Sequence, residues 1–501
     1  MTSRLCWTAG LCLVALLYTG CGQEDRPDQA AAAKQPALLA DRSWPNIVLI
    51  SIDALRPDHL HCYGYPKETS PRIDRFAAEG TVFEPAISSS AWTLPANASL
   101  FTGLCDSVHG CTDTDRRLHG LHVTLAERLK DTGYATAGFF ASPYLHPVFG
   151  LDQGFDSYVD CTSHPELTEQ AVTESGTVES EAVWNAMCSD VTSPKVVEQV
   201  RSWLEQNTRR PFFLFVQLCD TDFDYIPPAP YDTMFDADYA GDLSGRDFMT
   251  DPRVNKDMPK RDLEHLLALY DGEIAWTDEH FGKILDVLAS QELLDSSIVV
   301  LTSACGTGFF EHGLKGYRNS LYDELIRIPL IMRYPAKIPA GERVTRQVRT
   351  IDVLPTLVDL LGMPSPGLMG QSLAPLLAGG KTEHGDEPAV SELLTLGQQL
   401  QSFRMADRKT LWNLALDAGI VYDLQADPGE LAPLQSRDSP TVEAARNDAR
   451  WSRAFLKAFR ARYPQSAQTV VLPAELLEKL KTLYDVHTGS APGTPASAPA
   501  P

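Results

Sequence analysis

The chain has 501 residues, 44% hydrophobic and 22% charged, the composition of a folded globular protein with room for one large domain and a smaller one. A formal charge of −23 argues against a nucleic-acid partner, because phosphate binding needs a basic footprint. The same charge repels anions at long range, so any sulfate or phosphate site must be basic locally.

The N-terminus reads as a targeting signal: Arg4 supplies the positive start, and Trp7 to Tyr18 is mostly apolar but too short to span a bilayer comfortably. It ends in Leu17-Tyr-Thr-Gly-Cys21, similar to a bacterial lipoprotein signal in which the cysteine becomes the lipidated first residue; an ordinary cleaved signal is the alternative. Both predict export to the cell envelope, and the first predicts a membrane anchor at Cys21. Residues 1–21 are assigned to the signal, and 22–44, rich in Ala, Gln, Asp and Pro, to a flexible tether.

Pro45-Asn-Ile-Val-Leu-Ile-Ser-Ile-Asp53 reads as a strand buried on both faces, ending on a carboxylate where a strand leaves the core. An acid at that end of an open α/β sheet is a candidate metal ligand or catalytic group; the plain alternative is a cap or turn residue. Ser70-Pro71 opens a short helix with Ile73, Phe76 and Ala77 on one face and Gly80 as its stop. Thr124-Leu-Ala-Glu127 is a capping box opening another, followed by a strand over Tyr134 to Phe140.

Residues 162–190 read as a polar surface insertion. Beyond it, Ser193-Pro194 caps a helix with Val196, Val197, Val200, Trp203 and Leu204 inward, and Phe212 to Leu218 is a second fully buried strand. Arg261 to Leu288 predicts a long helix interrupted at Gly272, with strands at Ile298–Ser303 and Ile328–Arg333. The alternation predicts an α/β domain over 45–377, a mostly parallel sheet between helices. Over 378–487 the pattern shifts to short extended segments, Thr410–Leu414 and Ile420–Leu424, then a helix over Val442–Ala461: a small antiparallel subdomain. Residues 488–501 are low complexity. Of ten cysteines, Cys6, Cys12 and Cys21 fall in the signal; the other seven are an odd number, with Cys105 and Cys111 the first pair to consider for a disulfide. The chain has no CxxC pair to support a structural zinc site.

Several segments together resemble the sulfatase family of the alkaline phosphatase superfamily. They are the opening Pro45-to-Arg56 stretch, Tyr63-Gly-Tyr65, the helix Ser70 to Gly80, and Ala91-Trp-Thr-Leu-Pro-Ala-Asn-Ala-Ser-Leu-Phe-Thr-Gly103. Tyr270-Asp-Gly-Glu-Ile274, Leu321-Tyr-Asp-Glu-Leu-Ile-Arg-Ile-Pro-Leu-Ile331, Asp352-Val-Leu-Pro-Thr356 and Tyr422-Asp-Leu-Gln-Ala-Asp-Pro-Gly-Glu430 follow. The resemblance covers residues 45–435 and implies that family's fold. It also implies hydrolysis of sulfate esters with calcium and a formylglycine made from Cys or Ser, or, as in phosphatase relatives, use of Thr or Ser with divalent metals.

Carried onto this chain, the nucleophile position is Thr93, which cannot become formylglycine; the alternative role is a helix cap. Asn97 stands where formylglycine sulfatases place an arginine. Asp53 matches the first metal ligand, but Ala54 replaces a neighbouring acid, and the second ligand cluster reads Thr302-Ser-Ala304-Cys305-Gly306. Ala304 has no donor and Cys305 is a soft ligand, so calcium, which takes six to eight oxygens, is poorly served. Gln217 and Asp222 replace histidines that contact the substrate anion. The catalytic lysine falls on Arg318, with Lys315 and His312 nearby; solvated loop charge is the alternative for Lys315 and Arg318. Three readings follow: the first is a degenerate sulfatase-like protein that binds an anionic ester, glycan or partner, and the second a hydrolase using Thr93 with Asp53, Cys305, Asp222 and His312 regrouped around zinc or another transition metal. A structural envelope component is the third.

Overall fold

The computed structural model describes residues 44–161, 191–364, 367–379, 387–395, 397–436, 439–463, 468–473 and 476. The signal, the tether up to residue 43, the 162–190 insertion with Cys188, and the 488–501 tail lie outside the described residues. The first apolar run is strand β1 (Asn46–Ile52), buried at every position. Helix α1 (Pro71–Ala78) follows, with Ile73, Phe76 and Ala77 buried as its spacing requires. Then come β2 (Thr81–Ile87), α2 (Thr93–Thr102), α3 (Leu125–Asp131) behind its Thr124/Glu127 capping box, β3 (Ala135–Phe140) and β4 (Ser157–Asp160). After the insertion lie α4 (Ser193–Asn207), β5 (Phe212–Leu218), α5 (Lys260–Ser290), β6 (Ser297–Thr302), β7 (Arg327–Arg333), β8 (Glu342–Val344), β9 (Val348–Arg349) and α6 (Val353–Leu360).

These strands form one sheet in the order β8-β2-β7-β6-β1-β5-β3-β4, with β9 also on β2. Every ladder is parallel except the two made by β7, which runs against both β2 and β6. The sheet is the mostly parallel one expected of strand–helix alternation. Register places Ile52 opposite Leu218 and Ser51 opposite Thr302, so the chain leaves β1, β5 and β6 at one edge. That edge carries the candidate site.

A separate antiparallel meander is built from β10 (Ala389–Leu394), β11 (Gln399–Arg404), β12 (Arg408–Asn413) and β13 (Ala418–Asp423). Helix α7 (Pro440–Arg460) packs on it through Val442, Ala445, Ala449, Ser452, Leu456 and Phe459, a spacing of three and four that makes one face. Leu456 and Phe459 also pack with Leu104, Val108, Ile351 and Met369, so α7 joins the meander to the helical and loop segments beside the main sheet. From Ser43 onward the chain clusters as one unit.

Two expectations fail here. Helix α5 runs unbroken through Gly272, because glycine serves there for space rather than as a breaker: a Cβ at that position would lie 2.5 Å from the Tyr231 carbonyl oxygen. The Cys105–Cys111 pair is not bridged; both thiols are free and buried, Cys105 in the apolar cluster with Leu104 and Val108 and Cys111 toward the Arg116 carbonyl.

Candidate active site

Asp53 leaves β1 into the interior and is fully buried. Its Oδ2 accepts hydrogen bonds from Thr93 Oγ1 at 2.7 Å and Gln217 Nε2 at 3.1 Å, and its Oδ1 accepts from the Ala54 amide at 3.2 Å. Each of these donors is neutral. Burial therefore dominates and pushes the carboxyl up to about 6, although the bonds from Thr93, Ala54 and Gln217 work the other way. Ala54 itself sits at φ +52°, a left-handed conformation that a bulkier β-branched side chain would resist.

Thr93 is the first residue of α2, behind Trp92, whose extended backbone makes it the cap. The capping alternative for Thr93 is thus replaced by a side-chain bond to Asp53. Asn97 turns back along the helix, donating from Nδ2 to the Thr93 carbonyl at 2.8 Å, and its Oδ1 has no partner among the described residues. Gln217 is held from behind, its Oε1 accepting from the amides of Ala141 at 2.9 Å and Ser142 at 2.8 Å. The amide thereby presents a fixed donor to Asp53.

Ala304 is buried and contributes only its carbonyl, which accepts from Ser88 Oγ at 2.6 Å. The Cys305 thiol is fully buried, and burial first, then the carboxylates of Asp53 and Asp222, hold it well above the ordinary thiol range. Tested against calcium, these positions do not fit: one carboxylate, a methyl group and a protonated thiol fall far short of six oxygens. No catalytic step through calcium follows from them.

Arg318 adopts φ +62°, forms an ion pair with Asp113, and lays its guanidinium 4.1 Å from the centre of the Trp92 ring, beside Thr93 in sequence. The structure thus brings Asp53, Thr93 and Gln217 together directly and Arg318 next to them through Trp92. Lys315 and His312 are engaged elsewhere. Lys315 Nζ donates to the carbonyls of Phe248 at 2.8 Å and Val254 at 2.7 Å. His312 Nδ1 lies 2.7 Å from Glu324 Oε1 and its Nε2 3.2 Å from the Glu430 carbonyl, with the ring stacked 3.5 Å over Tyr322. The expected regrouping of Cys305 and His312 around a metal is therefore corrected: among the described residues the donors that gather are Asp53, Cys219 and Asp222, whose ligand atoms all lie within 4.8 Å of one another.

The sulfatase family model matches residues 45–363, well over half of the chain. The chain belongs to the sulfatase family. It is 27% identical over 361 residues to the ulvan-active sulfatase of Formosa agariphila, covering 69% of this chain and 67% of that one. It is 24% identical over 470 residues to the N-acetylglucosamine-6-O-sulfatase of Bacteroides thetaiotaomicron, covering 77% and 82%. Among solved structures, the phosphonate monoester hydrolase of Agrobacterium radiobacter superposes with a TM-score of 0.67 at 22% identity, over 83% of this chain and 96% of that one, which places the fold.

Within this sulfatase-family fold, sequence reasoning missed two partners. Cys219 is one of seven unassigned cysteines in the sequence, although Cys219-Asp-Thr-Asp222 directly follows a buried strand parallel to that of Asp53. Asp113, the ion-pair partner of Arg318, lies 205 positions away with no motif to mark it.

Proposed function

We propose that this sulfatase-family protein no longer hydrolyses sulfate esters by calcium and formylglycine, and that it is an exported, lipid-anchored member of an ester-hydrolase lineage that retains an anionic ester or glycan as ligand. The observation that carries the reading is the state of Asp53 and Thr93. The remaining family metal ligand accepts bonds from three neutral donors, and the residue in the nucleophile position donates its proton to that ligand. Both side chains are fully buried. A threonine hydroxyl is a weak nucleophile until its proton is removed, and here that proton is committed to Asp53. The Arg318 guanidinium is paired with Asp113, so its charge is partly offset before any substrate anion arrives. Export rests on Arg4, the Trp7–Tyr18 run and Cys21, and among the described residues no helix is long and apolar enough to cross a membrane.

The test is a turnover screen on the full chain with aryl sulfate, aryl phosphate and phosphonate monoester substrates, beside Thr93→Ala. Equal, background rates in both proteins are expected. Turnover that Thr93→Ala abolishes would overturn the reading and make Thr93 the nucleophile.

A further inference from the structure

We infer that Asp53, Cys219 and Asp222 form a binding site for a thiolate-accepting divalent transition metal of the zinc class. The site shares Asp53 and Asp222 with the grouping expected from the sequence, takes its sulfur from Cys219 in place of Cys305, and is built by the backbone. Strand β5 ends at Leu218, whose carbonyl accepts from the Asp53 amide at 2.9 Å. The next four residues close a turn in which the Asp222 amide donates to the Cys219 carbonyl at 3.0 Å. Thr221 Oγ1 in the middle of that turn donates to the Asp53 carbonyl, which pins the turn to the end of β1. Cys219 and Asp222 are thereby delivered to the Asp53 carboxylate from a neighbouring parallel strand, their sulfur and oxygens within 4.8 Å of one another.

The donor set selects the metal. One sulfur and two carboxylates are too few and too soft for calcium, whereas zinc takes four ligands with S and O donors about 2.0–2.3 Å from the ion. Neighbouring ligands of a tetrahedral ion stand roughly 3.3–3.7 Å apart at those bond lengths. Closing from at most 4.8 Å needs a movement of about 1 Å, a small side-chain adjustment at the half-buried Cys219 and Asp222, the latter also accepting from the Tyr317 hydroxyl at 2.8 Å and the Phe223 amide at 2.9 Å. Asp53 is the fixed member, held by Thr93, Gln217 and Ala54. A three-ligand site leaves a fourth position for water or an anion.

The experiment uses the full chain purified without chelators. Elemental mass spectrometry should find close to one zinc per chain. Titrating cobalt(II) into the stripped protein should raise a thiolate-to-cobalt charge-transfer band. Cys219→Ser should abolish that band and weaken zinc binding at least about tenfold, Asp222→Asn should weaken it similarly, and Cys62→Ser should change neither. Each replacement is near-isosteric, and the wild-type stoichiometry decides the question even if a variant fails to fold. Absence of zinc and of the cobalt band in the wild type, or an unchanged band in Cys219→Ser, overturns the inference. Ester turnover is read separately: zinc without turnover upholds both proposals, zinc with turnover overturns only the loss of hydrolysis, and no zinc overturns only the metal site.

Discussion

Asp323→Ala should destabilise the protein by about 3–5 kcal/mol, the cost of stripping one partner from a buried charge network. Asp323 accepts a forked pair from Arg404, Nε at 3.0 Å and Nη2 at 2.8 Å, and Lys409 Nζ at 2.9 Å. Lys409 is fully buried and also meets Glu430 Oε1 at 2.7 Å, while Glu430 Oε2 accepts the Asp323 amide at 2.7 Å. Without Asp323, Lys409 keeps one carboxylate and Arg404 keeps the amide oxygen of Gln347 at 2.7 Å, so two buried cations lose their shared counter-charge. Burial alone would raise the Asp323 carboxyl, but Arg404 and Lys409 outweigh it and hold it well below the usual range. Because the folded-state value is depressed, this stabilisation is present above about pH 4 and is lost as pH falls below it; Asp323→Asn should flatten that acid limb. The assay is urea unfolding at matched m-values, with Lys409→Met and the double variant completing a cycle. The double variant should lose less than the sum of the two single losses, since both remove the same Asp323–Lys409 contact. A loss under about 1 kcal/mol, the worth of an exposed pair, or strictly additive losses would refute the reasoning.

Thr93→Val keeps the shape of the side chain and deletes its hydroxyl, leaving Asp53 one donor short in a fully buried place; a loss of about 1–3 kcal/mol in chemical unfolding is expected, and a neutral result would mean the Thr93–Asp53 bond contributes nothing. Gly272→Ala should destabilise despite alanine's better helix propensity, by more than about 1 kcal/mol, because the new methyl meets the Tyr231 carbonyl; a stabilised variant would show that the contact relaxes freely. His312 is partly desolvated, which lowers its pKa, yet Glu324 and the Glu430 carbonyl raise it overall. A raised histidine stabilises fully below its unfolded value near 6.5 and ceases to as pH rises through its folded value, so wild-type stability should fall across that window. His312→Phe, which preserves the stack on Tyr322, should not show that decline when melting temperature is followed against pH.

Fully buried strands were legible because their apolar runs are unbroken: β5 spans the expected Phe212–Leu218, and β1, β6 and β7 fall within a residue or two. The capping box at Thr124 was legible because its two bonds are local. Gly272 misled because a helix-breaking propensity and a close approach look alike in a sequence. At the site, Asp53, Thr93 and Gln217 could be marked through their motif positions, whereas Cys219 and Asp113 take meaning only from which segment lies beside which. The motifs around Tyr322 and Tyr422 proved to hold partners in one buried lock, Asp323 and Glu430, joined by Lys409, which no motif contains. Resemblance located those residues without telling their task.

The reversed strand β7 bears on how the chain can be made. Among the described residues, β2 finds ladder partners only in β7, β8 and β9, all supplied after residue 326. A growing chain therefore carries Val82, Phe83, Ala86 and Ile87, buried in the finished sheet, as an unclaimed sticky segment through most of synthesis. Fragments ending before Arg327 should aggregate rather than persist as smaller working domains. Delivery in an unfolded state, with collapse only after the last strands arrive, suits this topology, as does a slow, chaperone-attended maturation.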